Sequence, residues 1–199
     1  MFPLEKIGAS ANIQVIGVTG SVSSGKSTLM GILQAMGLST LSVDTILNNL
    51  YKTNVELINK IRDLLGDNIL TNQMLDKKLI AEKVFTDSKH LHDLEALTTP
   101  YVIKEIKKML PLMKSPVAIE VPLLFELSLE DLFDITILVK TNESICRGRS
   151  PFEDFDARNK RGLHMEVKEK KAMFTITNNG CRADFIKSIH KTMEGIIAQ

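Results

Sequence analysis

The residues Gly20-Ser21-Val22-Ser23-Ser24-Gly25-Lys26-Ser27 fit the pattern G-x-x-x-x-G-K-[ST], whose chemistry is the capture of a phosphate chain. In a loop of this kind successive backbone N–H groups, here including those of Ser23 and Ser24, form a concave nest for anionic oxygens. The helix that follows adds positive potential at its N-terminus. Gly20 and Gly25 allow backbone angles that a Cβ resists and let phosphate oxygens approach closely. Lys26 is expected to reach the β- and γ-phosphates, and the Ser27 hydroxyl, with Thr28 beside it, to sit where Mg²⁺ is ligated. The expected ligands are therefore ATP and Mg²⁺, and the expected chemistry is transfer of the γ-phosphoryl group to a small hydroxyl-bearing acceptor.

Such a transfer needs a group near the acceptor hydroxyl, and a metal needs carboxylate company. Asp44 follows a short apolar run directly, at the strand end where open α/β sheets place ligands. A carboxylate there can orient and deprotonate a hydroxyl, hold metal, or cap the next helix. Glu120 lies inside the apolar run from Val117 to Val121, where a charge needs a reason. It either coordinates Mg²⁺ through water or pairs with a cation. Glu126, just beyond Pro122-Leu123-Leu124-Phe125, faces the acceptor or the solvent. Arg147, Arg149, Arg158 and Arg161 share one polar stretch, and a closing loop could deliver such fixed donors to phosphate oxygens. His90 and His92 diverge on a predicted helix while His164 and His190 stand alone, so no zinc site is expected.

The elements that must position these groups alternate. Strands are predicted over Ile13 to Val18, Thr40 to Val43, Val117 to Val121, Ile135 to Val139 and Phe174 to Thr177. Helices are predicted over Ser27 to Met36, Val55 to Leu65, Lys77 to Phe85, His90 to Leu97, Tyr101 to Leu110 and Arg182 to Ile197, with Gly66, Pro100 and Pro111 as punctuation. Strands separated by helices imply crossovers, hence a five-stranded, mostly parallel sheet in a three-layer α/β/α fold. The block over about 53–111 is too long for a simple crossover and reads as an inserted helical subdomain. The stretch over about 141–171 reads as a mobile loop with helical ends. The core then comprises about 12–52, 112–140 and 172–199, all within one domain.

Composition sets the outer limits. The chain has 199 residues, 44% hydrophobic and 25% charged, which suits a globular protein with a substantial core. A formal charge of +1 gives no global field for nucleic acid or an anionic membrane, so anion recognition must be local. The two cysteines, Cys146 and Cys181, lack metal-ligand spacing; they are reduced thiols or one disulfide, the former expected. No apolar stretch approaches the roughly 20 residues of a membrane span, and a cytoplasmic protein, monomeric or weakly oligomeric, is expected.

Several spaced motifs resemble one family of P-loop kinases, the dephospho-CoA kinases. They are Thr19-Gly20 opening the loop, Val43-Asp44, Leu75-Asp76-Lys77-Lys78 leading into Val84-Phe85, and Leu94-Glu95-Ala96-Leu97 before Pro100. They continue with Glu120-Val121-Pro122-Leu123-Leu124-Phe125-Glu126 and Ile176-Thr177-Asn178-Asn179-Gly180. The resemblance runs from about Ile13 to Ile197. It implies phosphorylation of the ribose 3′-hydroxyl of dephospho-CoA, the last step of coenzyme A synthesis. It also implies that Asp44 is the catalytic base and that Lys77 lies in the helical subdomain receiving the acceptor. Arg147 or Arg149, with Arg158 and Arg161, would belong to a lid, and Asn178 with Gly180 would lie near the adenine of ATP. The chain departs from the family at Ser21, Ser23, Ser42, Lys77, Thr99 and Met173, and in a shortened stretch after Ser144. Two other readings share the phosphate loop: a kinase for another small acceptor, and a nucleotide-binding module without turnover. A guanine-nucleotide switch is disfavoured by the lack of an Asn-Lys-x-Asp motif.

Overall fold

The apolar run that precedes the glycines extends as β1 (Val15–Gly20), and all six of its residues are buried. Strands buried on both faces read as continuous apolar runs, which is the pattern of a central parallel strand. A computed structural model describes residues 6–71, 74–114, 116–151, 155–160 and 162–197, the side chains at 85, 86, 88, 157, 158, 160 and 197 excepted. It divides into two compact units, Met1–Ser42 with Leu110–Gln199, and Val43–Met109.

The first unit is built on a five-stranded sheet. Its members are β1, β2 (Ser39–Ser42), β5 (Val117–Glu120), β6 (Ile135–Lys140) and β7 (Phe174–Thr177), in the order β2-β5-β1-β6-β7. All four pairings are parallel, so every C-terminal strand end lies along one edge. The register puts Val18 and Ser42 opposite Glu120, and Gly20 opposite Val139. On one face, Ile16, Val18, Ile137 and Val139 form a core with Leu29 and Leu33 of α1 (Lys26–Ala35). Phe185, Ile189 and Met193 of α9 (Arg182–Ile197) complete that core. Gly17, on the other face, lies under Leu124 and Phe133, and a Cβ there would stand 2.7 and 2.9 Å from those side chains.

Three short helices occupy the stretch read from sequence as a mobile loop: α6 (Glu143–Arg149), α7 (Phe155–Lys160) and α8 (Met165–Lys171). Each is at most two turns long, too short for periodicity to reveal it. Helix α8 packs on β6.

The second unit holds α2 (Val43–Thr53), α3 (Val55–Leu65), α4 (Lys77–Thr86) and α5 (Ser88–Met109), with a small antiparallel hairpin, β3 (Leu70–Thr71) and β4 (Met74–Leu75). Helix α5 packs against the other three. Asn54 caps α3 by accepting from Leu57 N at 3.0 Å, and Asp76 caps α4 by accepting from Lys78 N at 2.9 Å. The two helices predicted on either side of Pro100 are one. Pro100 cannot donate to the Ala96 carbonyl, and the hydroxyls of Thr98 and Thr99 donate to the neighbouring carbonyls of Leu94 and Glu95, at 2.8 and 2.7 Å. Threonine back-bonding of this kind lets a helix bend past a missing bond. The hairpin was not anticipated, because strands of two residues carry no alternation to read.

Among the described residues, no helix is long and apolar enough to cross a membrane. Cys146 is buried and Cys181 exposed, both as free thiols; burial pushes the Cys146 thiol pKa up. A Gly17→Ala substitution should destabilise the protein by about 1–3 kcal/mol, the usual cost of overpacking. At roughly 2–4 °C per kcal/mol for a chain of this size, Tm should fall by several degrees. A thermal melt measures it.

Candidate nucleotide site

Between the end of β1 and the start of α1 the backbone turns back on itself. Ser24 N donates to Ser21 O at 3.2 Å, closing a tight turn. Ser23 (φ 59°) and Gly25 (φ 104°) lie in the left-handed region, and Leu29 N then donates to Gly25 O at 3.0 Å as α1 begins. Gly25 is required twice over: its φ disfavours any side chain, and a Cβ would stand 2.4 Å from Asn178 Nδ2. Lys26 folds back across the loop, where Nζ donates to the carbonyls of Gly20 and Ser21, both at 2.9 Å.

The first turn of α1 leaves its N–H groups without intrahelical acceptors. A cleft of about 440 Å³ opens there, lined by Ser23 through Thr28 and by Arg149, Asn178, Gly180, Arg182 and Phe185. Among the described lining residues, Lys26, Arg149 and Arg182 are cations and none is acidic. Helix N-terminus, main-chain donors and cations together make an electropositive site for a polyanion.

The predicted site residues divide on this geometry. Ser23, Ser24, Gly25, Lys26, Ser27, Thr28, Arg149, Asn178 and Gly180 meet in the cleft, with Gly20 closing the strand behind them. Arg149 Nη1 also donates to Asn178 O at 3.3 Å. Arg147 is not among the lining residues. Its guanidinium donates to both carboxylate oxygens of Asp156, at 2.9 and 2.5 Å, and to Glu143 at 3.2 Å, and it stacks over the Phe155 ring. Asp156 and then Glu143 push its pKa above the ordinary arginine value. The Arg158 side chain and the whole of Arg161 lie outside the described residues. Glu120 ends β5, half-buried.

Glu126, expected at the acceptor or the solvent, is instead drawn into the interior of the first unit. Its side chain is 10% exposed and that of Lys168 is 4% exposed, with 2.6 Å between Oε1 and Nζ. Leu163 N donates to the same Oε1 at 2.9 Å. Close packing at Gly162 frames the pair: a Cβ there would stand 3.0 Å from Lys168 Nζ. The partner lies 42 residues along the chain, so no local pattern announces it. In the second unit, Asp44 is exposed in the first turn of α2, two residues beyond Ser42, and Lys77 opens α4 with Nζ donating to Asn48 Oδ1. Arg182 and Phe185 were missed. The only signal for Arg182 is its place two residues after Asn178-Asn179-Gly180, at the start of a helix.

The model of the dephospho-CoA kinase family matches residues 14–184, from the strand before the phosphate loop into the last helix. The chain belongs to the dephospho-CoA kinase family. A dephospho-CoA kinase of Chlamydia pneumoniae is 33% identical over 195 residues, covering 90% of this chain and 92% of that one. Among solved structures, a Thermus thermophilus protein superposes with a TM-score of 0.79 at 25% identity, over 94% of this chain and 97% of the other. A dephospho-CoA kinase from Campylobacter jejuni gives a TM-score of 0.60 at 26% identity, over 92% and 97%. The fold is that of the P-loop kinases, and the molecule is a kinase that uses a nucleotide.

Two outcomes follow from this geometry. Arg149→Ala should weaken ATP binding to the kinase by roughly tenfold to a hundredfold, the range for a lost charged donor, whereas Arg147→Ala should leave ATP affinity within about twofold; calorimetric titration separates them. Lys168→Met strands a buried carboxylate and should cost about 3–5 kcal/mol of stability, read by urea unfolding.

Proposed function

We propose a residue-level account of how this kinase phosphorylates dephospho-CoA to coenzyme A, the last step of coenzyme A synthesis. The donor is ATP and the acceptor atom is the ribose 3′-hydroxyl oxygen. The observation that carries the account is the cleft over the start of α1, walled by main-chain donors and, among the described residues, by three cations and no acidic residue. A triphosphate is the nucleotide feature such a wall fits.

In this account the amides from Ser21 to Gly25 and the Lys26 ammonium grip the β- and γ-phosphates. Arg149 approaches from α6, with Asn178 and Gly180 beside the nucleotide. The acceptor oxygen forms a bond to the γ-phosphorus as the bond to the β–γ bridging oxygen breaks, and ADP leaves. Asp44 takes the hydroxyl proton. Lys77 meets the acceptor's anionic groups as a point charge. Arg158 and Arg161 belong to the lid, while Arg147 braces α6 against α7 and Glu126 anchors α8 through Lys168. Oxygen donors suit Mg²⁺, and Ser27 Oγ with Glu120, the latter through water, are the residues that would hold it beside the phosphates. Bound there, Mg²⁺ neutralises charge on the transferring group. We place the kinase in the cytoplasm as a monomer or weak oligomer, with small molecules and neither nucleic acid nor membrane as partners. The near-neutral net charge supports the exclusion of nucleic acid and an anionic membrane as partners.

The test is a coupled ADP-release assay with ATP, Mg²⁺ and dephospho-CoA. Asp44→Asn should lower kcat by about 10²–10⁴-fold, the usual scale for a lost general base, with ATP affinity within threefold of the parent. Chelation of Mg²⁺ should abolish turnover. Undiminished turnover by Asp44→Asn would remove Asp44 from the base role.

A further inference from the structure

The Ser24 carbonyl accepts two side-chain hydrogen bonds, from Thr141 Oγ1 at 2.9 Å and from Asn178 Nδ2 at 2.8 Å. All three residues are buried, at 0% exposure for Ser24, 4% for Thr141 and 7% for Asn178. Thr141 is the first residue past β6 and Asn178 the first past β7, so both donors come from C-terminal ends of adjacent strands. The two strand ends are tied to each other as well. Asn178 N donates to Lys140 O at 2.8 Å, Asn142 N to Asn179 Oδ1 at 2.8 Å, and Asn179 Nδ2 to Asn142 Oδ1 at 3.1 Å. Arg149 adds its bond to the Asn178 carbonyl. The donors are therefore held in place before they meet the loop.

In a trans peptide the carbonyl and the next N–H point to opposite sides of the chain. Holding the Ser24 oxygen against Thr141 and Asn178 thus turns the Gly25 N–H away from the sheet end. A peptide flipped the other way would present an oxygen to the phosphates in place of a donor. We infer that Thr141 and Asn178 are positioning residues that lock the Ser24–Gly25 peptide so that its N–H faces the bound nucleotide's phosphates. This differs from the adenine-side role expected of Asn178, and it rests on the nucleotide reading of the cleft.

The experiment compares Thr141→Val, Thr141→Ser, Asn178→Ala and the Thr141→Val/Asn178→Ala double variant with the parent. The readouts are calorimetric ATP affinity, KM for ATP and for dephospho-CoA, Tm, and the Gly25 amide resonance with and without ATP. Thr141→Val and Asn178→Ala should each weaken ATP by about three- to tenfold, the scale of one net hydrogen bond, and the double variant by more than either. KM for dephospho-CoA should stay within threefold. Thr141→Ser, which keeps the hydroxyl, should bind ATP like the parent. The ATP-induced shift of the Gly25 amide should shrink in Thr141→Val. The inference is overturned if Thr141→Val binds ATP within twofold of the parent. It is equally overturned if Thr141→Ser is as weak as Thr141→Val, or if both KM values rise together. Should Asn178→Ala fail to fold, the valine and serine variants at Thr141 decide alone. A parent protein that does not bind ATP would instead strike the nucleotide reading of the cleft.

Discussion

A loop that offers its N–H groups to a ligand must dispose of its carbonyls, because each peptide carries both and an oxygen facing a phosphate repels it. Four carbonyls around the phosphate loop have their acceptors' needs met on the protein side. Those of Gly20 and Ser21 accept hydrogen bonds from Lys26 Nζ, and Ser21 also accepts from Ser24 N. That of Ser24 is held by Thr141 and Asn178, and that of Gly25 begins the helical ladder by accepting from Leu29 N. The loop is thus less a flexible glycine stretch than a peptide segment whose oxygens are committed beforehand. Preorganised donors of this kind contribute most when charge develops, since no reorganisation is needed at that moment.

The order of the sheet supplies that commitment. The loop leaves β1 at the centre, and β6 and β7 lie side by side next to it. Parallel pairing brings their C-terminal ends to the same edge as the loop, so the residues immediately past each strand, Thr141 and Asn178, reach the same oxygen. The core beneath, from Ile16 and Val18 to Phe185 and Ile189, fixes strand register and helix position together. A register slip of one residue would turn the side chains to the opposite face and take both donors from the loop.

Much of this was legible in the sequence. The phosphate loop, its flanking strand and helix, and the alternation that yields a parallel sheet all follow from local residue types. What stayed hidden depends on partners distant along the chain. Glu126 and Lys168 form a buried pair that no spacing rule announces. Arg147 and Arg149 are two residues apart on α6, a helix of seven residues. Successive side chains there fan out by about 100° each, so one meets Asp156 and the other the cleft. Pro100 misled because a proline breaks a helix on average, while Thr98 and Thr99 supply the local hydroxyls that let α5 continue.

Ser23 carries this reasoning one step further. Most residues avoid the left-handed region, at a cost of roughly 1–2 kcal/mol. Here a serine sits at φ 59° and the loop still closes. Its neighbours on both sides are constrained: Ser21 and Ser24 by their mutual turn, and Ser24 again by the two buried donors from the strand ends. Fixed on both sides, residue 23 has little choice of conformation, and the strain is held by bonds outside the residue that bears it. Glycine in such a loop supplies freedom; this chain holds its backbone path by constraint, which also removes conformations that would have to be lost on binding.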